Sequence, residues 1–276
     1  MKIQFVKMTG AGNDFVLVDN RKGVIRDAPS FARSVCDRRW GVGADGILLM
    51  EQSRKATYRM MYYNADGSYG GMCGNGGRCI AFFAVESGIA RSSHTFEALD
   101  YVYAVVVRDQ ERVQLSLKDP TGIRRNLRLR LGNRIVRADF VDTGAPHAVL
   151  FASSFLRGPD AIDRLDVMHL GRALRYHRSF SPSGANVNFI DVTDQGVVRM
   201  RTYERGVEDE TLACGTGAVA CSLVSHLRGK VTVPVTVETK SGKHLIVSFA
   251  EHSPGSFVNV ILTGPVRITF RGIWEA

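Results

Sequence analysis

At 276 residues, with 45% hydrophobic and 23% charged side chains, the chain has an ordinary globular composition, sized for one large domain or two of about 130 to 140 residues. No run approaches the roughly 18 apolar residues of a membrane span, and no apolar stretch follows Lys2 before Thr9-Gly10, so neither a membrane anchor nor a signal peptide is expected and the cytoplasm is the default. The net charge of +9 is scattered; its densest stretches, 124–137 and 172–178, lack the interleaved aromatics or zinc-finger spacing of a nucleic-acid reader, so a basic solvated surface is expected, whose field would also steer an anionic small substrate.

In chain order, alternating apolar and polar residues predict strands over 3–7, 15–19, 47–51, 58–63, 101–108 and 112–118 in the first half. The second half has 134–141, 148–151, 187–191, 197–203, 231–239, 244–250 and 257–262, and a last run over 266–271. Hairpin connections are expected at Arg108-Asp109-Gln110-Glu111 and Lys240-Ser241-Gly242-Lys243. Helices are fewer: 29–38 with Asp27 as cap, 76–87 stopped by Gly88, 166–176, and 217–228 stopped by Gly229. Many antiparallel strands with one long apolar helix per half indicate two α+β domains. Asp119-Pro120-Thr121-Gly122 breaks a strand and marks the boundary, giving 1–118 plus a returning 265–276, and 119–264.

The halves repeat. Thr9-Gly10-Ala11 leads to Asn13 and a strand, as Thr143-Gly144-Ala145 leads to His147 and a strand; Arg59-Met60 opens a strand ending at Tyr63, as Arg199-Met200 opens one ending at Tyr203. Each copy then reaches a cysteine in the same setting, Met72-Cys73-Gly74-Asn75-Gly76 and Ala213-Cys214-Gly215-Thr216-Gly217, before an apolar helical run. A helix N-terminus lowers a cysteine pKa from about 8.5 to roughly 3.5–7.5, toward the thiolate that works as a base. The glycines let backbone approach a ligand, and the first amides of a helix lack an acceptor one turn back and face an anion. The pair therefore reads as two sulfur proton carriers, each beside a cradle for a carboxylate. Cys36, Cys79 and Cys221 fall on apolar helix faces and read as core. The spacings Cys73 to Cys79 and Cys214 to Cys221 miss the usual zinc pairing, so no metal site is expected.

Six motifs carry a resemblance: Met8-Thr9-Gly10-Ala11-Gly12-Asn13-Asp14-Phe15, Tyr63-Asn64-Ala65-Asp66-Gly67-Ser68, Cys73-Gly74-Asn75-Gly76-Gly77-Arg78, Asn186-Val187-Asn188-Phe189, Tyr203-Glu204-Arg205-Gly206 and Cys214-Gly215-Thr216-Gly217. In this order and over essentially the whole chain, the sequence resembles diaminopimelate epimerase. The resemblance implies two pseudo-symmetric α+β domains, each a strongly curved, mostly antiparallel sheet around a central helix. It implies a homodimer that interconverts LL- and meso-2,6-diaminopimelate without pyridoxal phosphate or any other cofactor, a step toward lysine and peptidoglycan precursors. Cys73 and Cys214 take the positions of the family's two acid–base thiols. Glu204 and His147 match the groups that tune those thiols. Asn13, Asn64, Asn186, Glu204 and Arg205 match substrate-binding positions, Arg205 for the distal carboxylate. The backbone of Gly74, Asn75, Gly215 and Thr216 matches the cradle for the carboxylate at the reacting carbon. Such a cradle is needed, because general-base catalysis typically contributes only about 10²–10⁴-fold and preorganised dipoles must supply the rest.

Three departures stand out. Ala145 replaces an asparagine common in the family, Gly46 replaces a glutamine found in some members, and the stretch from Glu204 to Cys214 is one residue longer than in others. A proline-type racemase or phenazine-type isomerase on the same duplicated scaffold would lack this combination of two cysteines with Asn13-Asp14-Phe15 and Glu204-Arg205-Gly206. A thiol redox or zinc protein would need closely paired cysteines.

Overall fold

The computed structural model describes residues 2–158 and 160–275. Packing divides them into two compact units, one running to Ser116 and resuming at Thr263, the other Leu117–Leu262.

The first unit holds β1 (Lys2–Gly10), β2 (Asn13–Asp19), α1 (Ala28–Cys36), β3 (Gly46–Glu51), β4 (Tyr58–Asn64), α2 (Gly74–Glu86), β5 (Ser93–Ala98), β6 (Tyr101–Val107) and β7 (Val113–Ser116). The second holds β8 (Thr121–Leu131), β9 (Arg134–Asp142), β10 (Pro146–Phe151), α3 (Val167–Arg175), β11 (Asn186–Val192), β12 (Val198–Glu204), β13 (Asp209–Thr211), α4 (Gly215–Leu227), β14 (Val235–Glu238) and β15 (His244–Ser253). β16 (Ser256–Gly264) crosses the division, and β17 (Arg267–Glu275) returns to the first unit, antiparallel to β1.

The duplication is visible in the pairing. From β1 to β6, neighbouring strands pair antiparallel, parallel, antiparallel, parallel and antiparallel. From β9 through β10, β11, β12 and β14 to β15 the same alternation recurs, with β13 added on β12. Each parallel pair needs a long crossover. Four crossovers carry the four α-helices, in the order α1, α2, α3, α4.

The two kinds of crossover helix differ in what they bury. α2 is buried without a break over residues 74–84 and packs against β1, β2, β3, β4, β6 and β7. α4 is buried over residues 217–225 and packs against β9, β10, β11, β12, β14 and β15. A helix apolar all round belongs inside, and contact with both ends of a strand series requires the sheet to curl around it. Each unit is thus an α+β fold with a curved sheet about a central helix. By contrast α1 and α3 are amphipathic and cover the outside, α1 through Phe31 and Val35 near Ile47 and Leu49, α3 through Leu174 near Phe189 and Tyr203. Their starts are capped as expected of aspartates: the Asp27 and Asp166 carboxylates accept from Ser30 N and His169 N, both at 3.0 Å. Gly88 and Gly229 stop α2 and α4 at φ 68° and 66°.

The differences from expectation have local causes. α2 and α4 begin two residues earlier than the apolar pattern suggests, because small glycines continue the helical turn back to each cysteine. β5 was hidden by its polar residues, yet Phe96 is fully buried and Glu97 is sheltered by bonds from Ser53 (2.7 Å) and Arg59 (2.8 Å). β8 was hidden by arginines; it is a mostly exposed strand with irregular register against β9, and left-handed backbone at Gly122 and Asn126. β13 is only three residues long. The strand expected over 231–239 shrinks to Val235–Glu238, since Pro234 has no N–H to give a ladder. No helix among the described residues is long and apolar enough to cross a membrane.

α3 lies so close to β12 that a Cβ on Gly171 would stand 2.3 Å from Tyr203 Cβ. Gly171→Ala should therefore destabilise the protein by about 1–3 kcal/mol, the range of overpacked cores, read as a lower urea midpoint at unchanged m-value.

Candidate active site

Cys73 is the N-cap of α2, in extended backbone, and its sulfur accepts from Gly76 N at 3.5 Å. The sulfur also lies 3.8 Å from Asn13 Oδ1. That oxygen is fixed in place because the Asn13 amide N–H₂ donates to Asp45 Oδ2 at 2.5 Å, and a carboxylate can only accept. Asp45 is gripped in turn by Asp14 N at 3.0 Å and Arg38 at 2.8 Å, while Asp45 N donates to Asp14 Oδ1 at 2.9 Å. Arg38 and the buried Lys7 also bind Asp14, at 2.9 and 2.8 Å. Burial alone would push the Asp14 carboxyl up, but the Arg38 and Lys7 bonds outweigh it and hold it below its ordinary value. Under the turn, fully buried Arg78 donates to Gly74 O at 3.1 Å and to Asn75 Oδ1 at 2.8 Å, pinning both residues of the expected cradle. Gly10 backs onto the same turn; a Cβ there would stand 2.9 Å from Asn75 O and 3.1 Å from Cys79 Sγ.

Cys214 caps α4 in the same extended backbone, but its company differs. Its sulfur lies 3.6 Å from Thr216 Oγ1, which lies 3.0 Å from His147 Nε2. Thr143 Oγ1 donates to Thr216 O at 3.0 Å and ties the Thr143-Gly144-Ala145 turn to the helix start. Behind His147 stands Asn188, its amide nitrogen 3.1 Å from His147 Nδ1 and donating to Ala148 O at 3.0 Å. Thr202 Oγ1 donates to Asn188 Oδ1 at 2.9 Å. Gly217 leaves room for this cluster: a Cβ would meet Asn188 Oδ1 at 2.6 Å and Cys214 Sγ at 3.3 Å.

His147 is fully buried and is pushed down to about 3, first by desolvation and then by the Arg205 charge, against the opposing Asn188 bond. It is a neutral imidazole at ordinary pH.

The remaining expected residues fall into place unevenly. Asn186 on β11 bridges backbone rather than presenting its amide: it donates to Pro146 O at 3.1 Å and accepts from Arg205 N at 2.8 Å. Glu204 ends β12 and accepts from Thr211 at 2.7 Å. Arg205 is half-buried and its guanidinium forms no ion pair among the described residues. Asn64 bonds within its own neighbourhood, accepting from Tyr62 at 2.7 Å and donating to Ser68 at 2.9 Å. At Gly46 any side chain is excluded, since a Cβ would stand 2.4 Å from Tyr63 O. Ala145 contributes backbone, its carbonyl accepting from Thr143 N at 3.1 Å. The longer stretch after Glu204 closes on itself: Glu208, in left-handed backbone, donates its N–H to Glu204 O at 2.8 Å, and its carboxylate holds Gly206 N at 3.1 Å.

All five cysteines are free thiols. Burial pushes Cys36 up to about 12 and raises Cys79 and Cys221 well above the ordinary thiol value, so these three stay protonated and inert. Asp45, Arg78 and Asn188 bond directly to expected site residues, and Thr202 bonds Asn188 behind them; none of the four stands out as a site residue in the sequence. A polar residue in an otherwise apolar strand, as Asn188 is in Val-Asn-Phe-Ile, was the available signal.

The family model for diaminopimelate epimerase matches residues 5–117 and 140–269. The diaminopimelate epimerase of Chlorobaculum tepidum is 43% identical over 268 residues, 96% of this chain and 98% of that protein. That of Aquifex aeolicus is 38% identical over 284 residues, 98% and 97% of the two chains. Among solved structures, a probable proline racemase from Agrobacterium radiobacter aligns with TM-score 0.76 at 16% identity, over 99% of this chain and 92% of its own. A Bacillus anthracis phenazine biosynthesis protein aligns with TM-score 0.73 at 14% identity over the whole of both chains. The last two are similarities of fold alone.

The buried imidazole links stability to pH. The unfolded chain takes up a proton near pH 6.5 while the folded one resists until about 3. Between those values the unfolded state binds more protons, so stability rises with pH and is lost as pH falls from about 6.5 toward 3, by an amount on the order of a few kcal/mol. His147→Gln should flatten this part of the curve, measured by urea unfolding at a series of pH values.

Proposed function

Because the chain belongs to the diaminopimelate epimerase family, and is an epimerase, we propose that Cys73 and Cys214 carry the epimerisation of diaminopimelate as a pair of acid–base thiols. One thiolate removes the α-proton; the other thiol returns a proton to the opposite face; the roles exchange with the direction of reaction. The observation that carries this reading is that both cysteines occupy the N-cap of the central helix in two units of matching strand order. A helix N-terminus favours a thiolate over a thiol by its dipole and amides.

The surroundings supply what the α-carbon lacks. As the α-proton leaves, negative charge moves onto the neighbouring carboxylate, and fixed dipoles that meet it lower the barrier. Gly74 with Asn75, and Gly215 with Thr216, are the first residues of the two helices, and Arg78 and Thr143 hold them from behind. Arg205, with no ion pair of its own among the described residues, is the partner for the distal carboxylate, which its planar fork can grip through two bonds. Asn13 accepts from the Cys73 thiol, while Asn64, Asn186 and Glu204 serve the polar ends of the substrate. His147 and Glu204 tune the thiols. The same reading divides the chain into domains 1–118 with 265–276 and 119–264. It places a homodimer in the cytoplasm, in lysine and peptidoglycan precursor synthesis.

Incubated with LL-diaminopimelate in D₂O without pyridoxal phosphate, the enzyme should form meso product carrying α-deuterium. Cys73→Ser and Cys214→Ser should each lose epimerisation by at least about 10²-fold, the lower range of general acid–base catalysis. Near-wild-type turnover by either variant would show that the thiols do not act as a pair. Arg205→Met should mainly raise KM.

A further inference from the structure

The chain of polar side chains behind Cys214 has a direction that its atoms dictate. Ala148 O can only accept, so the Asn188 atom 3.0 Å from it is the amide nitrogen. The same nitrogen stands 3.1 Å from His147 Nδ1, and an amide nitrogen can only donate. His147 Nδ1 therefore offers a lone pair, and the imidazole proton sits on Nε2, pointing at Thr216 Oγ1 3.0 Å away. Thr202 completes the lock by donating to Asn188 Oδ1 at 2.9 Å, from the cross-strand position opposite Asn188. All of these groups except Thr216 and Cys214 lie on β10, β11 and β12, and every one of the four behind the helix, Thr202, Asn188, His147 and Ala148, is buried.

We propose that Asn188 and Thr202 are positioning residues that hold His147 as a fixed Nε2–H donor, leaving the Thr216 hydroxyl to serve Cys214 in both of its protonation states. The inference rests on the reading of Cys214 as an acid–base thiol. With one Thr216 lone pair taken by His147, the hydroxyl hydrogen is available to a Cys214 thiolate 3.6 Å away. When Cys214 carries the proton, the hydroxyl turns and its second lone pair accepts from the S–H. No proton crosses the chain: one O–H rotates, and the imidazole stays neutral throughout. The opposite tautomer would draw the Thr216 hydrogen to Nε2 and take that donor away from the thiolate. His147 thus acts on Cys214 through Thr216 and never as a base toward it. The charged and titratable groups that act on this chain include Arg205 after β12, whose charge disfavours an imidazolium, and Cys221 further along α4, which acts on Cys214.

The Cys73 turn is built differently. Asn13 stands where the repeat places His147, and it bonds the Cys73 sulfur directly.

The test uses the intact wild-type protein first. In ¹⁵N–¹H spectra, with the His147 signals identified by their loss in His147→Gln, the ring should be neutral with its proton on Nε2 from pH 6 to 9. A proton on Nδ1, or an imidazolium in that range, overturns the proposal. The second measurement follows the ¹³Cβ signal of Cys214 through a pH titration. Thr216→Val should lower the thiolate-to-thiol ratio about tenfold at a given pH, one pKa unit, while Thr216→Ser should restore it to within about twofold. Equal loss in both variants, or none in either, overturns it. Asn188→Asp should move the His147 proton to Nδ1; an unchanged tautomer there also counts against it. A reversed tautomer alongside an inactive Cys214→Ser enzyme defeats this inference alone, whereas an active Cys214→Ser enzyme defeats the thiol-pair reading with it.

Discussion

The structure depends on one constraint: each unit encloses a helix that is buried on every side over most of its length, and the enclosed helix can start in only one place. α2 and α4 are held by strands from both ends of their series, so neither can rotate or slide without opening the core. Packed interiors tolerate little such movement. The N-terminus of each helix is consequently a fixed point, with amides and dipole aimed one way. Cys73 and Cys214 are the residues at those two fixed points. The dipole that each sulfur meets follows from core packing, and the packing precedes any ligand.

Glycines make the close quarters possible. Gly10 against Asn75 and Cys79, and Gly217 against Asn188 and Cys214, each sit where a methyl group would collide with the polar cluster. These are positions of close approach, and neither depends on a left-handed backbone. Gly46 belongs to the same class on β3, where Tyr63 O leaves no space for a side chain. What looks by sequence like a lost contact is a position where no side chain fits.

Duplication set a symmetric frame, and the residues around the thiols departed from it. Cys73 has Asn13, anchored through Asp45 to the charged cluster of Lys7, Asp14 and Arg38. Cys214 has Thr216, anchored through His147 to neutral Asn188 and Thr202. One thiol is backed by charges near the surface, the other by a buried neutral chain.

Much of this was legible in the residues alone. The repeat, the two Cys-Gly turns, the glycine stops at Gly88 and Gly229 and the Asp27 cap are local patterns, and local patterns survive in sequence because each depends on neighbours a few positions away. Most strands showed for the same reason. β5 and β8 did not, because their buried face is one or two residues wide and the rest is polar. The partners of the site residues were likewise hidden: that Asp45 would orient Asn13, that Arg78 would turn back beneath Asn75, or that Thr202 would meet Asn188 across two strands is decided by register and helix direction. The sequence by itself determined that the chain places a cysteine at the head of each central helix. Only the tertiary structure decided which atoms each sulfur faces and which way their protons point, because hydrogen bonds between distant residues are set by how strands align.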